Sequence, residues 1–291
     1  MLLLVYGLRV IIDYEYRKHN FDKISLLMKH EIDDNVMIFG SSVAHVHFDP
    51  AIIKEQTGLS AYNMGWDGVF FVQYNGLIKE YLSYEKKCKF IVLACDFDNL
   101  GKNDLMTRPD LFYAYLSNPN IYTSLHDIEP AKIEKAYYLP GYKFTLLTKF
   151  FYGHLLSHKS ADTNKGYEPG REKWAALDTF KSYNAIFEEP IYKNLKTTID
   201  EITQKGIKVV MVMTPVYKDG YKLILNADKI KSYYQKLTNS NVYFMDDTQD
   251  SLTGNKEYFH NNTHMNNIGA TIFSNMFASR LKKIMDSTSS H

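Results

Sequence analysis

Cysteine is almost missing from this chain: two residues, Cys88 and Cys95, in 291. They flank a short apolar run, Lys89 to Ala94, that reads as an extended strand. The seven residue steps from Cys88 to Cys95 span roughly 23 Å when extended, whereas a disulfide needs Cα atoms within about 7 Å. A bridge between the two is therefore excluded, and the lack of any CxxC pair excludes a zinc-finger type of site. Charge of one sign is missing too. Lys and Arg total 34, Asp and Glu 33, and the net charge is +1 with the charges scattered. A nucleic-acid partner would call for clustered basic residues on one face, so none is expected.

Long hydrophobic runs are also lacking. Leu2 to Ile12 is apolar except for Arg9, but eleven residues fall short of the about 20 that cross a bilayer. No basic region precedes the run and no small-residue cleavage site follows it, so it is a poor signal peptide. Three readings remain: the end of a membrane anchor whose upstream part is missing, an interfacial helix, or a helix packed on the domain. We favour the first, with Tyr14 to Lys29 as a polar helical connector. Residues 1–33 are then an N-terminal segment, and 34–288 a single domain.

What is present is a repeated alternation of strand and helix signals. The chain is 45% hydrophobic, enough for a sizeable core. Val36 to Phe39 is an apolar run that ends at Gly40-Ser41-Ser42, as a buried parallel strand would. Asp49-Pro50 opens a helix over Ala51 to Thr57, with Gly58 just past its end. Leu59 to Met64, Phe90 to Ala94, Lys208 to Met213 and Asn241 to Met245 read as further strands. Residues 70–84 and about Asn267 to Met285 carry apolar side chains at helical spacing. This order predicts an α/β fold, a three-layer α/β/α arrangement around a doubly wound, mostly parallel sheet. Ligands of such sheets bind beyond the carboxyl ends of the strands. Gly40-Ser41-Ser42, Gly65, Asp96 to Asn99 and Thr214-Pro215 all fall at that edge.

Between about Gly101 and Tyr183 the pattern degrades. Five of the eight prolines, Pro109, Pro119, Pro130, Pro140 and Pro169, fall there, which argues against long regular elements. The stretch is expected to be a helical insertion over the strand ends. The 23 Tyr and 17 Phe fit an amphipathic sugar-binding lining, or simple compositional drift.

Ser42 directly follows a strand, where a serine is exposed at the sheet edge beside a helix N-terminus and its N–H groups can meet an oxyanion. His264 lies in a loop just ahead of the last helix. A neutral imidazole there can take a serine proton during acyl transfer if a third group holds its tautomer. His260 competes for that place. His45, His47 and Asp49 share a face of an extended segment, but two imidazoles and one carboxylate fall short of the usual three-ligand catalytic zinc site, so no metal is expected. His47 is expected to line the pocket beside Ser42 or to pack structurally. Lys165 to Arg171 reads as a turn whose Tyr167 and Arg171 either contact substrate or lie on a plain surface.

Taken together these motifs resemble the SGNH (GDSL) hydrolase superfamily. Gly40-Ser41-Ser42 stands at the family's G-D-S, with Ser41 in place of the aspartate. Asn63-Met64-Gly65 stands at its glycine block. Asn261-Asn262-Thr263-His264 stands at its D-x-x-H, with Asn261 in place of the aspartate, and the following Asn266-Asn267-Ile268-Gly269-Ala270 is similar too. The resemblance implies a flavodoxin-like SGNH fold with Ser42 as nucleophile, His264 as general base and Asn261 beside it. Asp246 or Asp247 could replace Asn261 as the group that orients His264. It also implies an oxyanion hole drawn from the Ser42 and Gly65 N–H groups, with Asn63 and Asn99 as side-chain candidates. No cofactor is implied. The pattern GSS…H-F-D-P with Y-N-x-G-x-D-G looks like a bacterial envelope branch associated with O-acylation of polysaccharides. That branch implies a small-molecule or polysaccharide acyl ester as substrate, membrane association through the N-terminus, a membrane acyltransferase as partner, and an envelope location in place of the cytoplasm. The alternative is a degenerate member that binds carbohydrate or a partner without chemistry.

Overall fold

The computed structural model describes residues 22–85, 87–101, 107–139, 142, 164–170, 174–175 and 181–289, with Leu4, Gly7, Val10, Ile11 and Tyr14 near the N-terminus. Most of the apolar N-terminal run therefore lies outside the described residues. Of those described, Leu4, Val10 and Ile11 are exposed. No helix among the described residues is long and apolar enough to cross a membrane.

In chain order the main elements are α1 (Lys23–Met28), β1 (Val36–Gly40), α2 (Ser42–His47), α3 (Pro50–Thr57), β2 (Ala61–Asn63), α4 (Phe71–Leu82), β3 (Phe90–Cys95), α5 (Pro119–His126), α6 (Pro130–Tyr138), α7 (Glu189–Gln204), β4 (Lys208–Met213), α8 (Ala227–Gln235), β5 (Val242–Asp246) and α9 (Asn267–Ser289). The chain divides into two compact units. One comprises Met1–Ile32, Gly68–Glu85 and Asn103–Thr163; the other comprises Asp33–Asp67, Lys86–Lys102 and Asn164–His291.

The second unit holds the sheet. Its five strands run in the order β2-β1-β3-β4-β5, and every pairing is parallel. The fold is thus the three-layer α/β/α arrangement, with all strands parallel. The hydrophobic runs are continuous because both faces are covered. Ile38, Val92 and Val210 stand in register on one face, where they join Val43 and Ala44 of α2, Ile53 of α3, and Phe273, Phe277 and Leu281 of α9 in one core. The opposite face carries Met211 in register with Phe244, and Tyr234 of α8 stacks on Phe244 at 6.0 Å. The turn chemistry read from the sequence is in place for α3: Asp49 Oδ1 accepts the Ala51 N–H at 2.8 Å, and Gly58 takes the left-handed conformation at the end.

The first unit is helical among its described residues. α1 and α5 pack on α4, and α6 packs on α5. Glu80 of α4 is buried at its polar centre, accepting from Asn118 and Asn120 side chains at 2.7 and 3.0 Å.

Candidate functional site

β1 delivers the nucleophile candidate. Gly40 ends the strand, Ser41 is the N-cap of α2, and Ser42 is its first residue. The N-cap hydroxyl makes no capping bond. It donates instead to Asp96 Oδ2 at 2.8 Å, just past the end of β3. The loop after β2 closes over this corner: the Trp66 N–H donates to Gly40 O at 3.3 Å. Glycine is required in that loop, because a Cβ on Gly65 would lie 2.4 Å from the His45 nitrogen of α2.

The histidine comes from the far end of the chain. The loop ahead of α9 is closed on itself, with the His260 N–H on His264 O at 2.8 Å and Phe259 bridged to Met265. His264 Nε2 stands 2.6 Å from Ser42 Oγ. On the other side of the ring, Nδ1 stands 3.0 Å from Asn261 Oδ1.

The orientation of the Asn261 amide decides which tautomer this arrangement favours, and the backbone settles that orientation. The N–H groups of Thr263 and His264 donate to Asn261 Oδ1 at 3.0 and 2.8 Å, so the atom facing the ring is the acceptor. His264 must then carry its proton on Nδ1, which leaves Nε2 unprotonated toward Ser42 Oγ. Burial lowers the His264 pKa from its ordinary 6.5; the Asp67 charge works against this shift and His260 works with it. The ring is therefore neutral near pH 7 and available as a base. Asp246 and Asp247, the other aspartates considered for orienting His264, are held elsewhere. Asp247 forms a two-pronged pair with Arg280, and Asp246 accepts from Thr248 and pairs with Lys231 at 3.2 Å.

Two of the expected oxyanion donors, Gly65 and Asn63, are engaged within the chain, which corrects that part of the sequence reading. The Gly65 N–H donates to Asn63 Oδ1 at 2.9 Å. Asn63 Nδ2 donates to Ala44 O at 2.7 Å and Phe48 O at 2.9 Å, so this fully buried amide locks α2 to β2. Asn99 is buried with Nδ2 directed at Ala94 O, 3.4 Å away. Of the expected set, the Ser42 N–H remains at the first turn of α2, where helix geometry supplies no acceptor, together with Asn99, whose two amide N–H groups meet one carbonyl.

His47 is a second correction. The expectation of a pocket wall fails because the residue is 0% exposed. Its Nε2 accepts the Met265 N–H at 2.8 Å, and its Nδ1 faces Thr214 Oγ1 at 3.0 Å. Burial, with a smaller contribution from His264, holds its pKa well below 6.5. Residues 42–47 are helical rather than extended, so His45 and His47 point to different neighbours. His45 lies 3.2 Å from Asp67 and 3.4 Å from Glu168, both of which are largely exposed. Among the described residues no three His, Cys, Asp or Glu are grouped to hold a metal.

Tyr167 does not sit on an open turn. The Asn63 N–H donates to Lys165 O at 2.8 Å and the Glu168 N–H to His45 O at 3.3 Å, so this segment is strapped along β2 and α2. Gly166, at φ +80°, brings its Cα against the Asn63 carbonyl. Tyr167 is buried, its phenol pushed up to about 12 by burial and by Asp49. Arg171 lies outside the described residues. Beyond β3, burial and the neighbouring Asp98 push Asp96 up to about 6, against the bond from Ser41. Sequence reasoning assigned no role to Asp67, and a contact across 22 residues with His45 leaves no local signal.

No family model matches the chain, and no curated protein matches it. Among solved structures, one from Streptococcus pneumonia, provisionally described as a platelet activating factor, is similar with a TM-score of 0.46 and 14% identity, covering 96% of this chain and 94% of that one.

Proposed function

We propose that the protein is a serine-dependent acyl-ester enzyme of the SGNH type. The observation that carries this reading is the relay Ser42 Oγ to His264 Nε2 at 2.6 Å and His264 Nδ1 to Asn261 Oδ1 at 3.0 Å. Nucleophile, base and orienting group stand in the order that acyl transfer requires. His264 takes the Ser42 proton as Oγ attacks the ester carbonyl. The tetrahedral oxyanion forms beside the Ser42 N–H. His264 then returns the proton to the leaving alcohol, and a second alcohol or water, deprotonated by the same ring, releases the acyl group from Ser42. The motif pattern around Ser42 and Asp67 favours acetyl groups on a carbohydrate as the substrate class. It also favours an envelope setting, with residues 1–33 as an anchor segment and a membrane acyltransferase as partner.

The direct test is turnover of short-chain nitrophenyl esters. Wild-type protein should release nitrophenol, and Ser42→Ala should lose at least about 10³-fold in rate. Equal rates for the two proteins would remove the enzyme reading. A second reading, a carbohydrate-binding protein on the same fold, draws on one observation: the Gly65 and Asn63 donors are both engaged inside the chain. Removing one oxyanion donor costs about 3–4 kcal/mol of barrier stabilisation. Sugar binding that is unchanged in Ser42→Ala, with no turnover in either protein, would favour that reading.

A further inference from the structure

The segments that carry the relay are joined at one buried side chain. His47 is the last residue of α2, the helix that opens with Ser42. Its Nε2 accepts from Met265, the residue after His264. Its Nδ1 meets Thr214, the residue after β4. Its backbone carbonyl accepts from Ser274 of α9 at 3.0 Å, and the same Ser274 hydroxyl accepts the Asp49 N–H at 2.9 Å. The rings of His47 and His264 stand edge to face, with centroids 6.3 Å apart.

The tautomer of His47 follows from its partners. A backbone N–H can only donate, so Nε2 is an acceptor and carries no proton. The neutral ring then has its proton on Nδ1, directed at Thr214 Oγ1. The other tautomer would set one N–H against another in a fully buried place, and the protonated ring would do the same at higher cost.

We propose that His47 is a positioning residue of the relay, holding the Met265 backbone and with it the His264 ring at hydrogen-bonding height over Ser42. The inference rests on the esterase reading, since it assigns His47 a part in that reaction. It makes no contact with the reacting atoms. It acts by fixing the distance between two elements that lie more than 200 residues apart in sequence, and a misplacement of about 1 Å in such a relay costs on the order of 100-fold in rate.

Two substitutions separate the contacts. His47→Gln is long enough to present a carboxamide oxygen to the Met265 N–H. His47→Asn is shorter, and reaches Thr214 only. On the full chain, we expect labelling of Ser42 by a fluorophosphonate to slow about 10- to 100-fold in His47→Asn and to recover most of the wild-type rate in His47→Gln. The ring proton of His264 Nδ1, followed by long-range ¹H–¹⁵N NMR, should broaden or shift in His47→Asn and return in His47→Gln. If His47→Asn does not fold, Thr214→Val against Thr214→Ser asks the same question from the other end: the valine should slow labelling and the serine should not. Wild-type rates with an unchanged His264 signal in His47→Asn, or in Thr214→Val, would overturn the proposal while leaving the esterase reading intact. Failure of the wild-type protein to label at all would count against the esterase reading. The NMR signal then decides His47 alone: an unchanged His264 ring overturns its positioning role, and a displaced one upholds it.

Discussion

Asn261 shows how a residue type that looks wrong in the sequence can be adequate in the structure. An aspartate in its place would supply charge as well as orientation. Asparagine supplies orientation only, and its usefulness depends on which end of the amide faces the ring. Two backbone N–H groups fix that end as the oxygen. We therefore expect Asn261→Asp to raise the His264 pKa and increase turnover, because a carboxylate stabilises the imidazolium. Asn261→Ala should lower turnover by about 10²-fold or more. Steady-state rates on a nitrophenyl ester check both. The pH dependence follows from the direction of the His264 shift. Its base form is the active one, so kcat/KM should rise with pH, pass its midpoint below 6.5, and stay flat above neutrality. Ser42, His264 and Asn261 are legible in the sequence because three short motifs come in a fixed order. Asn63 and Gly65 mislead because a hydrogen-bond donor looks the same in sequence whether it is free or engaged. The partner that engages Gly65 lies only two residues away, as in many Asx turns.

Among the elements, α2 matters most and leaves the weakest trace. Six residues are too few to show a 3.6-residue period, so residues 45–49 read as extended and His47 as a pocket wall. The strands are legible because an apolar run that ends in glycine or a polar pair fits little else than a buried strand. One of the two edge strands, β2, is shorter than the run read for it, covering Ala61–Asn63. α7 carries Leu195, Ile199 and Ile202 buried at helical spacing, the same signal that marks α9. The strap over 164–168 reads as a turn because its pairing partners, Asn63 and His45, are remote in sequence. The contact between the β2 loop and α2 gives a test at this scale. Gly65→Ala forces a Cβ into the His45 backbone, which α2 can relieve only by moving away from the loop. A loss of about 1–3 kcal/mol is expected, as for other overpacked sites, with slower Ser42 labelling in the fraction that remains folded. Urea denaturation gives the first quantity and probe labelling the second.

At the scale of the whole molecule, alternating strands and helices carry the layer order and the parallel sheet. The two-unit division is not legible, because each unit is assembled from three separate stretches of chain and no single boundary marks it. The stability of the molecule should carry the imprint of its buried ionisable groups. His47 and His264 have folded pKa values below 6.5. The unfolded chain therefore binds more protons than the folded one in that range, and their contribution to stability is lost as pH falls below about 6.5. Asp96 has the opposite sign. Its folded pKa is raised to about 6 from 3.8, so its contribution is present below 3.8 and lost as pH rises through about 6. Asp96→Asn keeps the oxygen that accepts the Asp98 N–H, turns its amide NH2 toward the Ser41 hydroxyl oxygen, and removes the charge. It should melt higher than wild type at pH 8, with the gain closing as pH falls through 6 toward 4. Thermal melts of the two proteins across that range measure the difference.

Activation of Ser42 by His264 is the step on which the proposed chemistry depends, and covalent labelling reads it without a substrate having to be known. Purified wild-type protein, Ser42→Ala and His264→Ala are treated with a serine-directed fluorophosphonate, and the labelled peptide is mapped by mass spectrometry. One modified site, Ser42, is expected in wild type, and no modification in either variant. Folded wild-type protein that takes up no label, or that is labelled at Ser42 equally well without His264, would contradict the activation.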